Sequence, residues 1–134
     1  MERGEIVHRA RAKQIINFKS LLYGKITPTD IDGLIDFGNK LFILIEIKYG
    51  DTPLKTGQRL AIERVVDTLA RVKKAVGIVA SHNVHNANED IDCAECVVTE
   101  IRVNSGWKPW GNKQWTVKRM IDYCRKKYGI GQSS

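Results

Sequence analysis

Two carboxylates fourteen residues apart, Asp32 and Glu46, are the side chains best suited to chemistry. Both sit in or beside apolar runs that read as strands. An acid there is costly unless a cation or a shared proton compensates it. Lys48 follows Glu46 by two residues in the run LFILIEIK, and Asp30 precedes Asp32 by two. If Gly38-Asn39-Lys40 is a three-residue hairpin loop, Phe37 faces Leu41, Asp32 faces Glu46 and Asp30 faces Lys48. Alternation then puts all four side chains on one face, with opposed positions about 4.5–5.5 Å apart. A two-residue loop would turn Asp32 to the other face. Oxygen ligands suit a hard divalent cation, and Mg²⁺ takes only one or two carboxylates while keeping several waters. A protonated lysine is no ligand, but it can hold a water or a phosphate. Cation, polarised water and lysine together suit attack on a phosphodiester. The plainer alternative is a salt bridge from Lys48 to Asp30 or Glu46. Three acids and one lysine exceed what such a pair needs.

The elements that would position these groups are legible as patterns. Residues 5–23 carry an apolar stripe through Ile6, Ala10, Ile15, Phe18 and Leu22, which predicts a helix closed by Gly24. Strands are predicted over Ile31–Phe37 and Leu41–Lys48, and a helix over Gln58–Lys74. The short apolar run Val76–Ala80 suits a central or parallel strand. Cys96–Val103 reads as a further strand that turns at Asn104-Ser105-Gly106 towards Trp107, and a last helix runs from Trp115 to about Gly129. With no repeat or linker, residues 1–134 are expected to form one α/β domain, a mixed sheet flanked by helices.

An acid, an apolar strand and then Glu46-Ile47-Lys48 at the end of the next strand resembles the PD-(D/E)xK nuclease superfamily. The predicted elements of residues 5–103 match its common core. Within it, the short basic chain is most similar to the archaeal-type and phage Holliday-junction resolvases. That resemblance implies a restriction-endonuclease-like fold and Mg²⁺-dependent cleavage of DNA, with Mn²⁺ as a substitute. Asp32 and Glu46 would bind the metal, the Ile47 carbonyl would add a ligand, and Lys48 would assist the nucleophile. Glu5, or less directly Glu2, would complete the site from the first helix, and Gln58 matches a polar residue near the metal in some relatives. The proline of the motif normally precedes the acid directly, whereas Pro28 here precedes Thr29-Asp30. Asp30 therefore stays a second candidate beside Asp32.

The 22 Lys and Arg against 15 acids give a net charge of +7, which suits a polyanionic partner. Arg9, Arg11, Lys13, Lys55, Arg59 and Lys118 are the candidate backbone contacts. Symmetric cutting of branched DNA needs two sites, so a homodimer is expected. The first residues lack an apolar signal region and no run is long enough to span a membrane, so an intracellular, cytoplasmic setting is expected. Three cysteines, Cys93, Cys96 and Cys124, then read as free thiols. His82, His85, Cys93 and Cys96 have zinc-like pair spacings, but only seven residues separate the pairs. Trp107, Trp110 and Trp115 suit packing better than base stacking. Two other functions remain open: a nuclease of ends, flaps or single strands, and a basic nucleic-acid-binding module that does not cleave.

Overall fold

The computed structural model describes residues 14–131. The hairpin forms from β1 (Gly33–Phe37) and β2 (Leu41–Tyr49). Asn39 at φ 62° and Gly38 at φ 60° supply the left-handed backbone that its short loop requires. The register has Phe37 facing Leu41 and Gly33 facing Ile45, as the three-residue loop predicts. From β2 the chain passes through α1 (Thr56–Leu69) into β3 (Lys74–His82), which pairs parallel to β2. β4 (Val97–Val103) returns antiparallel to β3, and β5 (Gly106–Pro109) pairs antiparallel to β4. α2 (Val117–Lys127) closes the chain. The sheet order is β1-β2-β3-β4-β5, so β1 is an edge strand.

β2 is buried on both faces, which explains its almost unbroken apolar run. Its even residues turn towards α1, where Leu44 packs with Ile62, Val66 and Ala75. Its odd residues Leu41, Ile43 and Ile45 join Val117, Met120, Ile121 and Cys124 of α2 on the other face. The two helices thus cover opposite faces of one sheet. Gly77 of β3 allows the close approach of α1, because a Cβ there would lie 2.9 Å from the Ile62 Cγ2.

Three expectations need correction. Residues 14–23 of the predicted first helix are not helical: Ile15 is 91% exposed and Leu22 63%. The β-branched Ile15-Ile16 pair is a modest helix former. The Asn17 side chain also accepts the Lys19 N–H at 2.8 Å, which competes with a helical hydrogen bond. Gly24 instead serves a tight turn in which Tyr23 and Ile26 pair. α1 ends at Leu69, earlier than predicted, because Lys74 already pairs with Leu41 in the sheet. The fifth strand was not expected; a two-residue turn makes it, with Asn104 at φ 51° and Ser105 at φ 60°. The part of the predicted helix before residue 14 lies outside the described residues. Among the described residues no helix is long and apolar enough to cross a membrane.

Candidate functional site

The candidate site forms where β1 stops and β2 continues. Ladder pairing ends at Gly33, and the Asp32 carboxylate accepts the Ile47 N–H at 2.7 Å. A side-chain oxygen thus replaces the carbonyl that a longer β1 would have offered. The N–H and C=O of one strand residue point to the same edge, so the Ile47 carbonyl lies on the Asp32 side. Asp30 gains no ladder position opposite Lys48, because the pairing has already ended.

Glu46, next to Ile47, turns towards α1 and is 3% exposed. Its Oε1 accepts the Gln58 Nε2 at 3.2 Å and lies 3.5 Å from the Lys48 Nζ. Lys48 in turn donates to the Gln58 Oε1 at 2.7 Å. One glutamine from the first turns of α1 therefore fixes both the acid and the lysine. The Glu46 Oε2 is buried and makes no hydrogen bond of ordinary geometry, the Asp32 backbone N–H being the donor that bears on this carboxylate. Burial first, and then the Asp32 carboxylate, raise the Glu46 pKa, while Lys48 and the Asp32 backbone N–H pull it the other way.

These are the conditions in which a cation fits. A buried carboxylate oxygen lacks a close hydrogen bond, and a second carboxylate is near enough to repel it. Asp32, Glu46 and the Ile47 carbonyl are the groups that could hold a hard divalent ion. Among the described residues no three His, Cys, Asp or Glu side chains gather as a metal site. The ligand set available is therefore two carboxylates, which is within what Mg²⁺ ordinarily takes.

The other expected contributors divide. Glu5, Glu2, Arg9, Arg11 and Lys13 lie outside the described residues. Lys55 is exposed, just ahead of α1. Arg59 is not a free contact: both arms of its guanidinium bond the Glu100 carboxylate, at 2.7 and 3.0 Å, and it lies over the Trp107 ring. Lys118 is tied to Asp122 at 2.9 Å. The zinc spacing does not assemble. The His82 Nδ1 accepts the Val84 N–H, His85 bonds the Tyr49 hydroxyl, and Cys96 is buried.

Two features near the site were not visible beforehand. Lys48, Ser81, Thr99 and Glu100 line a cavity of about 280 Å³ on the α1 face. Asp32, Ile47, His82 and Cys93 line another of about 300 Å³ on the far side of β2. Both depend on register between strands distant in sequence, for which no local pattern exists. No family model, curated protein or solved structure matches the chain.

Proposed function

We propose that the chain is a Mg²⁺-dependent DNA endonuclease with a restriction-endonuclease-like core. We further propose that it acts on branched DNA, as do the Holliday-junction resolvases it resembles. One observation carries the reading: the buried Glu46 carboxylate beside Asp32, its Oε2 without a close hydrogen bond, with Lys48 held 3.5 Å from its Oε1. An ordinary sheet gains nothing from that oxygen, since leaving it without a close hydrogen bond costs stability. When bound, a divalent ion would lower the pKa of a coordinated water and screen charge building on the scissile phosphate.

The chain's own residues would do the rest. Asp32 and Glu46 supply the negative charge that retains the ion, and the Asp32 bond to the Ile47 N–H fixes that carboxylate against β2. Gln58 holds the Lys48 ammonium 3.5 Å from Glu46, where it can orient a water or neutralise a phosphate oxygen. Asp32→Asn and Glu46→Gln should each reduce cleavage by about 10³-fold while DNA binding stays largely intact, because neither removes a basic contact. Lys48→Ala should lose most activity and still bind Mg²⁺ by calorimetry. Cleavage of duplex, flap, single-stranded and four-way-junction DNA, with and without Mg²⁺, is the direct test. Cutting at near wild-type rate by Asp32→Asn or Glu46→Gln would remove the assignment.

A further inference from the structure

The candidate site leaves most of the basic charge unused, and part of it gathers on the other side of the sheet. α2 carries Lys118, Arg119, Arg125, Lys126 and Lys127 against a single acid, Asp122. Cations in its last turn complement the negative end of the helix. Lys118 and Arg119 do not, because they occupy a first turn that holds no acid. Thr116 already caps that end by accepting the Arg119 N–H, so the cations are not needed to start the helix. Asp122 neutralises Lys118 alone. Arg119, Lys126 and Lys127 remain exposed. Lys118 is thus compensated, and the positive charge left without an acid on this face belongs to Arg119, Lys126 and Lys127, which points to a ligand of opposite charge.

Three aromatic rings order this charge. Trp110, Trp115 and Tyr123 meet edge to face, with centroids 5.2 and 5.4 Å apart. Lys113, Arg119 and Lys127 lie over their respective faces at 4.9, 4.4 and 5.9 Å. Cations resting on rings keep their N–H groups free for phosphate oxygens. The same cations cover the rings, so stacking of nucleobases is not what the surface offers. A phosphate backbone fits.

α2 covers the sheet face opposite the one that carries Glu46 and Lys48. A duplex stiff over about 150 base pairs cannot turn around so small a domain to meet both faces. We propose that the outer face of α2, with Lys113, binds the phosphate backbone of a second DNA segment, separate from the one presented to Glu46 and Lys48. The nuclease reading is assumed for the first segment only.

The test compares the wild-type chain with the triple variant Arg119→Gln, Lys126→Gln, Lys127→Gln, which spares the cap and every buried residue. Binding to a four-way junction and to linear duplex is measured without divalent metal across a salt series. Junction affinity should fall about tenfold or more, and the slope of log affinity against log salt should shrink by about two to three. Linear duplex, which can still use the other face, should lose less than about threefold. The charge-conserving variant Arg119→Lys, Lys126→Arg, Lys127→Arg should bind as wild type. Unchanged junction binding in the triple variant, equal losses on both DNAs, or failure of the charge-conserving variant overturns the proposal. So does lost binding to anionic phospholipid vesicles with junction binding kept, which would assign the helix to a membrane surface. A wild-type chain that binds junctions through α2 but cuts nothing with Mg²⁺ sinks the nuclease reading alone. One that cuts, with a triple variant that binds normally, sinks this proposal alone.

Discussion

Glu46 makes the strongest claim at the scale of single residues, because its energetics can be measured without any substrate. Burial and Asp32 raise its pKa above the ordinary 4.5. The folded state therefore holds the proton more tightly than the unfolded chain. That favourable contribution is complete below the ordinary value and is lost as pH rises through the raised one. Above that raised value, without metal, the ionised Glu46 stabilises the fold less than its protonated form does. Glu46→Gln should then stabilise the metal-free protein by about 1 kcal/mol, or about 4 °C in melting temperature. The gain should be present at pH 8 and vanish as pH falls to 4 and below. Added Mg²⁺ should raise the melting temperature of the wild type and leave the variant where it was. Thermal melts in chelator and then in Mg²⁺ decide this, and a variant less stable than wild type at pH 8 in chelator would contradict it.

Among the elements, the contact between α1 and the sheet sets the geometry of Gln58 and thus of Lys48. A Cβ on Gly77 would meet the Ile62 Cγ2 at 2.9 Å, the Arg102 Cβ at 3.2 Å and the Val66 Cγ2 at 3.4 Å. Ile62 and Val66 are buried, and Arg102 is fixed by two hydrogen bonds to Asp67. No flexible end is available to yield. Gly77→Ala should cost about 1–3 kcal/mol in urea unfolding and lower cleavage as well, by tilting α1 away from Glu46. A neutral result would mean that α1 shifts freely on the sheet.

The same elements show what could be read from sequence. The hairpin register followed from Gly38-Asn39-Lys40, since loop length alone fixes which residues face each other. The one-face arrangement drawn from it did not form as a ladder: Asp32 reaches β2 through the Ile47 N–H and lines the cavity on the face away from Glu46. Apolar periodicity misled at Ile15 and Leu22, which form no packed face among the described residues. The Arg59–Glu100 and Lys118–Asp122 pairs engage two cations that charge alone presented as free. One pair needs two elements to meet, which no composition reveals. The other is an i, i+4 pair on one helix and was there to be found.

For the whole molecule, the +7 charge and the proposed action on branched DNA lead us to expect recognition through phosphates and DNA shape. Binding should weaken steeply with salt and favour four-way junctions over linear duplex of equal length. A homodimer should nick two opposed strands; sedimentation of the free chain and strand-specific cleavage products check both. A monomer cutting one strand would favour the end- or flap-acting alternative.

The sheet order has a consequence of another kind. Among the described residues β1 pairs in the sheet with β2 alone, and edge elements open locally at a lower free energy than the centre. Asp32 leaves with β1 when it frays, while Glu46 stays in the buried β2. The Ile47 amide is then a built-in reporter, since the hydrogen bond recorded for it goes to the Asp32 carboxylate. In amide hydrogen exchange it should lose protection together with Gly33–Phe37, ahead of the β3 amides. An ion joining Asp32 to Glu46 would clamp the edge to the centre, slowing exchange at Ile47 and along β1 far more than in β4 or β5.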